Sequence, residues 1–164
     1  MNRYLSLVLL TSLLLLGCSS ARNQPDSPSV SATQVSQAQE LPVTATAQMG
    51  GETIELEVAK TRQQQALGLM FREEISDNRG MLFPFDPPRQ VGFWMKNVEV
   101  PLDMVFLRDG VILEIAANVP PCHREPCPSY GPNEPIDQVI ELRGGRAEEL
   151  GLETGDRITV EFSP

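Results

Sequence analysis

The first 41 residues decide how much of this 164-residue chain is left to fold. Leu5 to Leu16 (LSLVLLTSLLLL) is almost wholly apolar. As a helix it would rise only about 18 Å, well short of the roughly 30 Å hydrocarbon core of a bilayer. Residues 19–41 (SSARNQPDSPSVSATQVSQAQEL) are rich in Ser, Gln, Pro and Ala. With few large apolar side chains, they cannot bury enough surface to offset the entropy of ordering. What remains is roughly 120 residues, enough for one domain around one core and too few for two catalytic domains.

Arg3 ahead of the apolar stretch and Leu15-Leu16-Gly17-Cys18 behind it have the arrangement of a bacterial lipoprotein leader. The sequence predicts a signal peptide over 1–17, a lipidated Cys18 with a disordered tether over 18–41, and a β-rich domain over 42–164. The expected location is extracytoplasmic, periplasm-facing in a Gram-negative host, with acyl chains such as palmitate holding the protein to the membrane. Thirteen Lys and Arg against 22 Asp and Glu give a net charge of -9, which argues against nucleic acid as a partner. His123 is the single histidine, so multi-histidine metal sites are excluded, and no cofactor is expected.

Thr53 to Val58 alternates, with Ile54, Leu56 and Val58 on one face and Thr53, Glu55 and Glu57 on the other, as in a half-buried strand. Val43 to Ala47 is its expected hairpin partner across Gly50-Gly51. Thr61 followed three residues later by Gln64 has the form of a capping box, opening a short helix that stops at Gly68. Met81 to Phe85, Val91 to Lys96, Leu102 to Leu107, Val111 to Ala116, Ile136 to Leu142 and Arg157 to Phe162 read as further strands, with a tight turn at Arg108-Asp109-Gly110. Arg146 to Leu150, ended by Gly151, reads as a second helix. The expected fold is mainly β, a β-rich α+β domain: a small, partly closed, barrel-like arrangement of short strands with two short helices.

Val58-Ala59, Gly68-Leu69-Met70-Phe71-Arg72, Gly80-Met81-Leu82-Phe83, Phe93-Trp94-Met95-Lys96-Asn97, Pro101-Leu102-Asp103 and Glu141-Leu142 occur in that order. With these motifs the chain resembles the bacterial and archaeal family called Domain of Unknown Function 192, over about residues 50 to 163. The resemblance implies a small secreted or lipid-anchored β-rich domain with two helices, and no agreed activity. Val98 departs from the family pattern, where Thr often follows the Trp-Met-Lys-Asn run.

Three groups of residues bear on chemistry. Cys122 and Cys127, separated by four residues and expected outside the cytoplasm, read as a disulfide rather than part of a Cys-His-Cys metal site, which would lack a fourth ligand. Strand alternation puts Trp94 and Lys96 on one side and Phe93, Met95 and Asn97 on the other. Taken alone, Trp94 reads as a core residue with Lys96 snorkelling to water. Taken with Arg72, Asn97, Asp103 and Glu141, the two suggest a concave binding face fed by separate loops. Met70, Met81, Met95 and Met104 could offer thioethers to Cu(I), but each sits in an apolar run and reads first as core.

No catalytic residue is assigned, because acid-base groups are few. The leading expectation is an uncharacterised lipid-anchored extracytoplasmic binding or accessory module without catalysis, whose partner would be cell-wall glycan, peptide or an envelope protein. One alternative is an envelope enzyme acting on glycan or peptide with Asp103 and Glu141 as acid and base. The other is a Cu(I)-handling protein built on the Met cluster.

Overall fold

The computed structural model describes residues 37–163. The expected leader over 1–17, the lipidation at Cys18 and residues 19–36 of the expected tether lie outside the described residues. The elements are β1 (Val43–Met49), β2 (Glu52–Val58), α1 (Arg62–Leu67), β3 (Arg79–Arg89), β4 (Leu102–Arg108), β5 (Val111–Val119), β6 (Ile136–Arg143), α2 (Arg146–Glu149) and β7 (Thr159–Phe162). All seven strands form one mixed sheet in the order β5-β4-β6-β3-β2-β1-β7. The β2–β3 ladder is parallel and the others are antiparallel.

The mainly β class with two short helices is therefore correct, but the sheet does not close into a barrel. Its two ends meet at one corner through an isolated Val111–Arg157 bridge. There Ile112 N–H donates to Asp156 O at 2.9 Å and Ile158 N–H to Gly110 O at 2.8 Å. No ladder continues from that corner.

The two hairpins follow from turn chemistry. Gly50 and Gly51 (φ 58° and 83°) join β1 to β2, and Asp109 and Gly110 (φ 51° and 74°) join β4 to β5. Two-residue turns that match strand twist need positive φ at both positions, which these residues tolerate. Thr61 and Gln64 form the reciprocal capping box at the start of α1. The expected strand over Val91 to Lys96 is instead irregular, paired with its neighbours through the isolated Phe93–Tyr130 and Lys96–Cys122 bridges rather than a ladder. Its partner segment is rich in proline (Pro120, Pro121, Pro126, Pro128), which has no N–H to extend a ladder.

The central strands are buried on both faces. One face packs Ile54, Leu56, Leu82, Val105, Leu107, Ile140 and Leu142 into a core closed by Leu150 and Ile158. The other packs Met81, Phe83, Met104, Phe106 and Val139 beneath Leu69, Met95 and Val98, which come from segments crossing over the sheet. Among the described residues, no helix is long and apolar enough to cross a membrane.

Candidate functional site

The ladders align Glu57 of β2, Met81 of β3, Glu141 of β6 and Met104 of β4 in one row across the sheet. Paired residues point to the same face, so two carboxyl side chains rise there on either side of Met81, roughly 10 Å apart at the backbone. The connection from β2 to β3 passes above this row. It carries α1, Gly68 and Arg72.

Arg72 grips Glu57 with both ends of its guanidinium, Nη1 to Oε1 at 2.8 Å and Nη2 to Oε2 at 2.6 Å. Leu41 N–H adds a 2.7 Å bond to Glu57 Oε2. Burial pushes the Glu57 carboxyl up, but the bonds from Arg72 and Leu41 and the charges of Arg72 and Arg79 outweigh it and hold it below 4.5. Arg72 Nη2 also donates to Gln39 O at 2.7 Å, while Gln39 Nε2 donates to the Gln64 and Gly68 carbonyls at 2.9 and 2.8 Å. The expected tether therefore ends earlier than Leu41: Gln39 to Leu41 are bound to the domain, because Arg72 and the open end of α1 offer them polar partners.

Glu141 contrasts with Glu57. It is 4% exposed, and its Oε2 has no hydrogen-bond partner. Burial raises its pKa to about 8, against a lesser opposing pull from Arg72, so at neutral pH it is mostly a protonated acid. Oε2 sits beneath Gly68, where an added Cβ would lie 3.8 Å away. Gly68 has φ 50° and ψ -132°, a conformation that residues with a side chain rarely adopt. Above Glu141 lies a cavity of about 30 Å³, lined by Gln65 to Met70, Phe83, Phe93, Trp94 and Val98. That is room for roughly two waters. Arg72 Nε is also buried without a partner.

Trp94 forms part of this lining yet is 51% exposed, so reading it alone as a core residue was incorrect. Phe93 and Met95 share one side, as alternation requires, and it is the inward one: Phe93 packs edge-on against Phe83 and Phe106 at centroid distances of 5.0 and 5.9 Å. The inward half of the motif thus fixes the outward half. Lys96 Nζ lies 5.6 Å from the Trp94 ring centroid and pairs with Glu125 of the disulfide loop. Asn97 has φ 57° and accepts from the N–H of Phe71, itself at φ 64°, at 2.8 Å. Positive φ at a residue as bulky as Phe71 is uncommon, and such strain collects at functional sites. The pair borders a second, more open cavity of about 570 Å³ with Val98, Glu99, Cys122 and His123.

Asp103 does not join this group. It pairs with Leu142 in the β4–β6 ladder, whereas Glu141 pairs with Met104, so the two acids lie on opposite faces of the sheet. The buried Asp103 side chain accepts from the N–H groups of Asn118 (2.6 Å), Gly145 (2.9 Å) and Ala147 (2.6 Å), capping the start of α2. An acid-base pair of Asp103 and Glu141 is overturned. Arg72, Trp94 and Glu141 do gather around the row, with Lys96 and Asn97 at its border.

Cys122 and Cys127 are bridged, with 5.8 Å between their Cα atoms, so neither sulfur is available for the Cys-His-Cys metal site. Among the described residues no group of three His, Cys, Asp or Glu side chains is placed to hold a metal. Met81, Met95 and Met104 are buried and Met70 lies at the edge of the same core, as the packing reading requires. The residue the sequence missed is Glu57. Its place on the polar side of an alternating strand pointed to solvent, and the overlying crossover together with the segment ending at Leu41 covers it.

The family model for Domain of Unknown Function 192, described as "Uncharacterized ACR", matches residues 43–160. The chain belongs to this family. A crystal structure of a protein of unknown function from Novosphingobium aromaticivorans is 37% identical with a TM-score of 0.62, covering 71% of this chain and 83% of that one. Another, from Sinorhizobium meliloti and provisionally named a transcription regulator, is 35% identical with a TM-score of 0.63, covering 74% of this chain and 98% of that one. No curated protein matches the sequence.

Proposed function

We propose that this member of Domain of Unknown Function 192 is a lipid-anchored binding module of the bacterial cell envelope, without catalysis of its own, whose binding face is the cavity between Trp94 and Glu141. The observation that carries the binding site is a buried, unpartnered carboxyl at the floor of a cavity whose rim is a half-exposed tryptophan. The envelope location rests on Arg3, the Leu5–Leu16 stretch and Cys18, and a disulfide suits an oxidising compartment. Separation of Asp103 from Glu141 by the sheet counts against the alternative of an envelope enzyme that uses the two as acid and base. The name of the Sinorhizobium protein does not carry over, because a net charge of -9 opposes approach to nucleic acid.

Two measurements test this reading. The chain purified from membranes in detergent is expected to be retained by insoluble cell-wall sacculi and to release no new sugar or peptide ends, while Trp94→Ala lowers retention at least tenfold. Failure to be retained, or release of products by the parent chain, overturns it. Labelled palmitate is expected to enter the parent chain and not Cys18→Ala, which should accumulate as the uncleaved precursor. Equal labelling of the two removes the anchor from the proposal.

A further inference from the structure

We propose that the cavity above Glu141 takes the acetamido group of an N-acetylated sugar, with the sugar ring resting on Trp94 and the acetamido group hydrogen-bonded to the Glu141 carboxyl. This rests on the binding reading above and names the ligand class.

Size comes first. A cavity of about 30 Å³ admits a methyl and a carbonyl oxygen but not a ring, so the bulk of any ligand stays outside, where Trp94 is 51% exposed. Tryptophan offers a broad apolar surface with a polar edge, which suits the C–H face of a pyranose.

Polarity comes second. Most of the lining is apolar, with Leu67, Leu69, Met70, Phe83, Phe93 and Val98 around one acid whose Oε2 is orphaned. Of the other polar groups nearby, Arg72 Nε is buried without a partner, while two side-chain amides are occupied. Gln39 takes the Gly68 carbonyl, and the Gln65 amide nitrogen donates to Ala59 O at 3.2 Å and Pro84 O at 2.9 Å. A neutral carboxyl can donate to a carbonyl and leave no buried charge.

Charge comes third. An ammonium would meet a desolvation cost in this apolar space and repulsion from Arg72, which acts on Glu141 electrostatically. An anion would meet a domain of net charge -9, and the nearest cation, Arg72, is already bidentate on Glu57. A small neutral acylamide satisfies all three conditions.

Glu141 must hold its proton for this contact, which makes binding pH-dependent. The charge that acts on Glu141 is Arg72 from the crossover, itself paired to Glu57 of β2, which Arg79 of β3 also approaches; Lys96, 5.6 Å from the Trp94 ring centroid, is paired to Glu125. From β3 and β4 the residues beside it in the row are Met81 and Met104.

The test uses the chain in detergent with three trisaccharides: N,N′,N″-triacetylchitotriose, its deacetylated form chitotriose, and cellotriose. At pH 6.5 we expect the acetylated sugar to bind at least tenfold more tightly than either of the others, although the amines of chitotriose are favoured by the acidic protein. Its affinity should fall at least tenfold between pH 6.5 and 9.5. In Glu141→Gln, which cannot lose a proton, the profile should flatten; in Glu141→Leu the preference for the acetylated sugar should vanish. Equal binding of the three sugars overturns the inference, as does a Glu141→Gln profile that still falls or a Glu141→Leu protein that still discriminates. If sacculi retain the parent chain and lose Trp94→Ala while the sugars are not distinguished, this inference alone fails. If sacculi do not retain the chain either, the binding reading fails with it.

Discussion

Asp103 and Glu141 occupy neighbouring positions on adjacent strands, both nearly excluded from water, yet the two faces of the sheet treat them oppositely. On one face three backbone N–H groups converge on Asp103 and bind it to the start of α2. On the other, Glu141 faces a small void and apolar side chains, with an oxygen that nothing satisfies. Burial of an acid therefore says little about its role; the supply of donors separates a cap from a carboxyl left open to a cavity. Glu57, in the same row as Glu141, makes the point again, since a guanidinium and a backbone N–H leave it fully engaged.

Substitution tests this contrast most sharply at Asp103. Asp103→Ala strands three backbone donors, that of Ala147 fully buried, and should cost about 3 to 5 kcal/mol in a urea titration. A loss below about 1 kcal/mol would mean that the face around α2 relaxes and that Asp103 is not its keystone.

The next largest effect is pH dependence. Unfolded, Glu141 has an ordinary carboxyl value near 4.5, while folded it titrates near 8. Between these values the folded state holds a proton that the unfolded chain has released. Stability should therefore fall as pH rises from about 4.5 to 8, by up to about 1.4 kcal/mol per pH unit from this group. Glu57 has the opposite sign. Its pKa is held below 4.5 in the fold, so its contribution is present above that value and lost on acidification, outside the Glu141 window. Denaturation of Glu141→Gln across pH 5 to 8 should lack the downward slope; an unchanged slope would assign it to other groups.

Replacing both Cys122 and Cys127 with Ser should cost at most about 2 kcal/mol, since the closed loop is short. It should also loosen Lys96, whose partner Glu125 sits inside that loop. Trp94→Ala comes last, with less than about 0.5 kcal/mol lost because the ring is half in solvent. A thermal melt that drops by many degrees would make Trp94 a packing residue after all.

Most of the fold was legible because its signals are local: the alternation over Thr53 to Val58, the Gly50-Gly51 and Asp109-Gly110 turns, and the Thr61–Gln64 box. Glu141 was also visible, as one acid in the apolar run Val139-Ile140-Glu141-Leu142. Its separation from Asp103 was not, because which face a residue uses depends on pairing register between strands that lie far apart in sequence. Trp94 was misjudged alone for a related reason. Alternation fixed that it opposes Phe93 and Met95, but only the three-ring contact of Phe93 with Phe83 and Phe106 establishes which side is inside. How far the expected partial closure extends was not legible, because strand number and spacing do not report whether two edges zip together; here they meet only at the Val111–Arg157 corner.

The parallel β2–β3 ladder has a consequence for how this architecture can diversify. Parallel neighbours cannot be joined by a tight hairpin; the chain must travel back along the sheet before re-entering it. Here that return path, residues 59–78, supplies the roof of the cavity through Gly68 and the grip on Glu57 through Arg72. The floor belongs to strands that the rest of the molecule locks in place. Exchanging that stretch of about twenty residues between relatives would change the roof of the cavity and the grip on Glu57 while leaving the core closed by Leu150 and Ile158 untouched, provided the residues at 59 and 69 still pack against the other core.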